Sequence, residues 1–150
     1  MTGTSSLRSR IRADLTFRGD IKEMRYLMDL FLSLDGRIGR GRFWLGVLGL
    51  IFLQLVLGTV LSLFGLMTFN PQTGMPESAD YWIGLLIMMA LLIWPSICIY
   101  GKRYHDRDKS AWWILIAFVP IIGWLWQIIE LGLLKGTDGP NRFGEDPVPN

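Results

Sequence analysis

Three long apolar blocks, separated by polar segments, organise the chain, and a shorter amphipathic stretch precedes them. Over residues 20–34, Ile21, Met24, Leu27, Met28, Phe31 and Leu34 recur every three or four positions, while Lys22, Arg25, Asp29 and Ser33 mark the opposite side. That period predicts an amphipathic helix of about four turns. In a chain otherwise built of apolar blocks, such a helix is expected along a membrane interface, the alternative being packing on a partner or on the chain's own loops. Residues 43–66 hold no charge, and about 36 Å of helix at ~1.5 Å per residue crosses a hydrocarbon core of ~30 Å. Within that block Gly58, Ser62 and Gly65 share a face on which a second helix can approach closely.

Residues 81–100 form the second predicted span, opened by Tyr81 and Trp82 and closed by Tyr100, with a kink expected at Pro95. The third block, residues 111–134, begins at Trp112 and Trp113 and carries Trp124 and Trp126 about 20 Å further on if helical. Aromatic residues near both ends predict a single crossing. Pro120 and Gly123 leave open a re-entrant hairpin that returns to the side it entered. On the first reading the polar tail lies about 30 Å from the 101–110 connection. On the second it comes back beside that connection, where Asp138, Asn141 and Asp146 could complete a polar site.

The remaining segments are polar. Residues 1–19 are rich in Ser, Thr and Arg with no apolar face, which predicts a mobile arm. Asp35 and Gly36 end the amphipathic helix, residues 70–80 read as a turn-rich loop, residues 101–110 as a short polar connection, and the tail from Lys135 as a chain of turns. The expected fold is therefore all-α: a polytopic membrane protein with an amino-terminal interfacial amphipathic helix and three transmembrane helices. Its parts are an arm (1–19), an interfacial helix (20–34), a membrane domain (35–147) and a tail end (148–150).

Charge then orients these elements. Residues 1–42 carry nine Lys and Arg, the 70–80 loop none, the 101–110 connection four and the tail two. Basic residues favour the cytoplasmic side, so the amino terminus and the 101–110 connection are expected inside and the 70–80 loop outside, in a multi-pass membrane protein. The first 42 residues show no cleavable signal pattern, so the first apolar block is expected to act as an uncleaved anchor. The single cysteine, Cys98, excludes an internal disulfide and a cluster of cysteine ligands.

Candidate chemistry is sparse. His105 beside Asp106, with Asp108 and Ser110 nearby, is the best arrangement for general base work, but the chain has no second histidine and no nucleophile elbow. Neither catalytic residues nor a cofactor are expected. A metal site of His105, Asp106 and Asp108 would need Asp138 or Asp146 from the tail, and none is expected. A transport pathway calls for ionisable groups within the spans, and only Glu130 and Gln127 qualify, Glu130 being expected near the outer end of the third span. The reading that remains is an interaction or scaffold protein. Its inner surface, formed by Arg37, Arg40, Arg42, Lys102, Arg103, His105, Asp106, Arg107 and Lys109, is expected to bind anionic lipid headgroups or a partner. A second copy or another membrane protein fits as a partner, and nucleic acid does not. The alternative is a subunit of an oligomeric transporter or channel, or less readily a membrane enzyme using His105 and Asp106.

Three motifs, GRIGRGRFW at 36–44, RYHDRDKSAWW at 103–113 and GTDGPNRFGEDP at 136–147, occur in an order and spacing that resembles the small bacterial inner-membrane proteins of the YhaH-like family, known as domain of unknown function 805. The resemblance covers residues 36–147. It departs from the family at Ala111, where glycine is usual, and at Glu145, where proline is usual. It implies a polytopic inner-membrane protein and no particular biochemical activity.

Overall fold

The computed structural model describes residues 3–77 and 79–147, with side chains from Phe17 onward. The described residues are helical apart from turns and two isolated β-bridges. The first helix, α1, spans Gly3–Leu32 and so runs through most of the stretch predicted to be an arm without order. Local i to i−4 hydrogen bonding needs no apolar face, and residues 3–19 contain no proline to interrupt it. Ile21, Met24, Leu27 and Met28 stay exposed, whereas Leu30 is buried in the core. The carboxy-terminal end of α1 is fixed to the third helix by two bonds: the Lys102 ammonium donates to the Asp29 carbonyl, and Trp94 Nε1 donates to the Leu32 carbonyl at 2.9 Å.

Two helices, α2 (Arg40–Leu63) and α3 (Asp80–Asp106), are long and apolar enough to cross a membrane, as the charge-free blocks predict. Most of their apolar side chains face outward, as lipid-facing surfaces do. The pair approaches closely where Gly46 meets Ile99. Their connection is a compact turn in which Asn70 Oδ1 accepts the Gln72 and Thr73 amides at 2.9 and 3.2 Å. α3 continues through Pro95 to Asp106, so the polar connection predicted over 101–110 shrinks to Arg107–Ser110. Lys102, Arg103, His105 and Asp106 therefore ride on a helix. Their polar groups find partners in neighbouring segments, so the helix continues past its apolar stretch.

The third apolar block is not one continuous helix. It starts as a 3₁₀ helix, Ala111–Phe118, turns over Val119–Ile121, and returns as α4 (Ile122–Gln127) and a π-helical segment, Ile128–Leu133. Each arm is only about 16–18 Å long, half of a ~30 Å hydrocarbon core. The turn is held by Val119 N–H to Ile116 O (3.0 Å) and Gly123 N–H to Val119 O (2.9 Å). A Cβ on Gly123 would run into the Ile116 backbone carbonyl, and Ile121 at the tip adopts φ +64°. Gln127 Nε2 ties the two arms by donating to the Ile114 carbonyl at 3.3 Å. The stretch expected as one crossing helix is thus folded as a hairpin. Two residues that interrupt a helix within four positions, Pro120 and Gly123, outweigh the aromatic spacing on which the crossing rested. Trp124 and Trp126 lie on the returning arm, and Trp126 finds its partner in the Lys109 ammonium, 5.3 Å from its ring centre.

The core sits at one end of this assembly. Leu30, Ile38, Phe43, Ile99, Tyr104 and Leu131 pack there, drawn from α1, the segment before α2, α2, α3 and the hairpin.

Candidate functional site

Above that core lies a polar knot centred on Asp106. Arg37, in the segment that leads into α2, gives Nε and Nη2 to Asp106 Oδ1 at 3.2 and 3.1 Å. Arg103, one turn earlier on α3, pairs with Asp106 Oδ2, so both carboxylate oxygens are occupied by guanidinium groups. All three side chains are almost wholly removed from solvent. Burying an ion costs several kcal/mol, roughly, unless pairing and hydrogen bonds offset it. The offset comes from the tail, where Arg37 Nη1 donates to the Gly139 and Gly144 carbonyls (2.7 and 3.2 Å) and Nη2 to the Thr137 carbonyl and hydroxyl (2.7 and 3.1 Å).

The end of the hairpin is satisfied in the same way. A helix leaves its last carbonyls without intrahelical donors. Here the carbonyls of residues 131 to 135 each take a side-chain donor. Leu131 receives Arg103 Nε (2.7 Å), Gly132 receives Trp44 Nε1 (3.3 Å), Leu133 receives Arg40 Nη1 (3.1 Å), Leu134 receives Arg103 Nη2 (2.5 Å) and Lys135 receives Arg107. Cations at a helix carboxy terminus also complement its dipole. Gly136 follows, and a Cβ there would enter the Asp106 carboxylate.

The tail closes over the knot. Thr137 N–H donates to the Asp106 carbonyl at 2.8 Å, and Asn141 Nδ2 reaches the His105 carbonyl at 2.9 Å. Phe143 stacks on the His105 ring, 3.9 Å between centres and 3° from parallel. Arg142 bonds to Asp108, Asp146 Oδ2 accepts the Gly139 amide at 3.0 Å, and Lys135 pairs with Asp138 at the surface. Glu130, expected near an outer membrane face, is instead buried at this same end, where Lys109 Nζ and Arg107 Nε reach its Oε1 at 2.7 and 3.1 Å. Burial alone would push the Glu130 carboxyl upward, but the two cations prevail and hold it below the ordinary carboxylate range.

The nine residues expected on one basic surface therefore divide. Arg37, Lys102, Arg103, His105 and Asp106 are buried and bonded internally, Arg107 and Lys109 are half-buried against Glu130, and Arg40 and Arg42 remain exposed. The His105–Asp106 pairing considered for a general base is not formed. Asp106 faces two arginines, and His105 Nδ1 lies 3.2 Å from the Gly36 carbonyl. Among the described residues no three of His, Cys, Asp and Glu converge as metal ligands would. The carbonyl acceptors of residues 131 to 144 were not legible as site groups, because backbone oxygens carry no residue signature. The recurrence of the tail motif beside the two arginine motifs was their only trace.

The chain matches the family model DUF805, described as a protein of unknown function, over residues 31–145. The inner membrane protein YhaH of Escherichia coli (strain K12) is 33% identical over 117 residues, 78% of this chain and 88% of that protein. The inner membrane protein YhaI of the same strain is 28% identical, over 78% of this chain and 87% of its own length. The uncharacterized protein YiiR, also from that strain, is 30% identical over 76% of this chain and 85% of its own. No solved structure matches the chain.

Proposed function

The chain belongs to the DUF805 family, a family of unknown function, and from that premise we propose that it is a multi-pass inner-membrane interaction protein whose cytoplasmic face gathers anionic lipid. The amino terminus, the 107–110 turn and the tail lie inside and the 70–80 loop outside. α2 and α3 cross, and the hairpin dips into the inner leaflet and returns. The basic count supports this orientation. The names of YhaH and YhaI, which are inner membrane proteins, support the inner membrane as the location.

One observation carries the lipid reading: cations outside the knot lie on α1 and against its Tyr26. Arg42 lies over the Tyr26 ring of α1 at 5.3 Å, and Tyr26 borders a surface hollow together with Lys22, Arg25 and Asp29. The apolar residues Ile21, Met24, Leu27 and Met28 of the same helix are exposed beside them. A basic strip flanked by unburied apolar side chains suits α1 to the headgroup boundary, with about 1 kcal/mol of attraction per cation near an anionic surface. Replacing Lys22, Arg25 and Arg42 by Gln should lower the enrichment of phosphatidylglycerol over phosphatidylcholine around the purified protein in mixed micelles several-fold. Unchanged enrichment overturns the lipid reading. For the topology, in a Cys98→Ala background, cysteine at Gln72 should react with an impermeant thiol reagent on intact cells, whereas cysteines at Asp108 and Asp138 should both be protected. Opposite labelling of the last two would place the tail across the membrane and refute the re-entrant hairpin.

A further inference from the structure

We propose that the groove between α2 and the returning arm of the hairpin seats one acyl chain of an anionic glycerophospholipid, with the lipid phosphate held by Arg40 and Lys135. This deepens the lipid reading above and rests on it. Arg40, Phe43, Trp44 and Val47 occupy positions i, i+3, i+4 and i+7 of α2 and so share one face. Beneath Arg40, Trp44, Val47, Tyr100, Trp124 and Ile128 are among the residues that border an apolar cavity of about 240 Å³. Contacts along the hairpin set the groove's direction. Trp124 and Ile128 are nearer the tip, Gly132 receives Trp44, Leu133 receives Arg40, and Lys135 follows at the polar end. An apolar slot with cations at its mouth matches a hydrocarbon chain joined to a phosphate.

Toward that polar end lies a second, separate cavity of about 100 Å³ bordered by Gly39, Arg40, Lys135 and Thr137, together with Asp106, Asp138 and Asp146. Asp106 is neutralised by its two arginines, and Asp146 accepts the Gly139 amide. Asp138 pairs with Lys135, but both are about two-thirds exposed, and such a surface pair exchanges readily for a phosphate. Among the described residues Arg40 gives one N–H, to the Leu133 carbonyl, and the residue is exposed. α2 also starts at this point with no side-chain cap and no acidic residue in its first turn, so its free amides add to the attraction for an anion.

The test titrates the purified full chain in neutral micelles with phosphatidylglycerol brominated on its acyl chains, which quenches tryptophan on contact. Quenching should saturate near one lipid per chain. Arg40→Gln with Lys135→Gln should raise the half-saturation concentration about ten-fold, equivalent to about 1.4 kcal/mol. Arg40→Lys should bind as the parent does, showing that charge rather than folding was removed. Val47→Phe fills the slot while leaving every cation, and it should abolish the saturable phase. Brominated phosphatidylcholine should not saturate, and glycerol phosphate should not compete. The proposal is overturned if Val47→Phe binds normally, if Arg40→Lys is as weak as Arg40→Gln, if the zwitterionic lipid binds as tightly, or if glycerol phosphate displaces the lipid. If only the Lys22, Arg25 and Arg42 replacement weakens lipid enrichment, the surface reading stands and this site falls. If neither set of changes matters, both fall.

Discussion

Arg37 and Arg42 lie five positions apart in one basic run, yet the molecule uses them in opposite ways. Arg37 is sealed against Asp106 and three tail carbonyls, whereas Arg42 stands exposed over Tyr26. The same contrast separates Arg103 from Lys22 and Arg25. A guanidinium with all of its donors matched to fixed acceptors can be buried as a structural fastener, because its planar fork is preorganised for several bonds at once. One facing water stays available for headgroups. The difference lies in what the rest of the chain brings to each position, not in the residue type.

The sharpest way to break this contrast is Asp106→Asn, which leaves two buried guanidinium groups without a counter-charge. It should cost about 3–5 kcal/mol and lower the unfolding midpoint in micelles accordingly, while Arg42→Gln stays within about 0.5 kcal/mol of the parent. Gly136→Ala comes next, at about 1–3 kcal/mol, since its methyl group must displace the Asp106 carboxylate. Gly139→Ala, with open space but φ +71°, should cost only about 1–2 kcal/mol, which separates crowding from backbone strain. Glu130→Gln unpairs Lys109 and Arg107, which are about a quarter exposed and can turn to water, so about 1–2 kcal/mol is expected at neutral pH. Because the Glu130 carboxyl is held below its ordinary range, its stabilisation is complete at neutral pH and is lost as pH falls through the folded value. The gap between parent and Glu130→Gln should close in acid, as unfolding measured across pH would reveal. The smallest effect belongs to His105→Phe, which keeps the stack on Phe143 and loses the contact with Gly36, for about 1 kcal/mol.

How much of this was legible in the sequence follows from the kind of signal each feature leaves. The spans at α2 and α3 were plain, because a run of side chains without charge needs no partner to be recognised. The hairpin was visible only as an alternative. Pro120 and Gly123 are compatible with a bend in a crossing helix, and the choice is made by the long-range bond from Gln127 to Ile114 and by carbonyls 131 to 135 meeting donors from two other helices. α1 begins at Gly3, inside the stretch expected to be a mobile arm, because local hydrogen bonds can form a helix that has no apolar face. Of the nine residues expected together on a basic surface, five are buried. Charge counts sort segments between membrane sides, and they do not say which cations meet an internal acceptor.

The bonds from Arg37 to Thr137 and Gly144 join residues 100 and 107 positions apart. During synthesis the arginine emerges long before its acceptors exist, and both membrane helices have left the ribosome by then. A nascent chain therefore carries, for that interval, a charged segment that cannot yet be enclosed. Closure must come as a late, non-local event, slowed by the entropy of bringing such distant positions together. A chain arrested before the 137–144 turns would hold its apolar helices and lack its clasp.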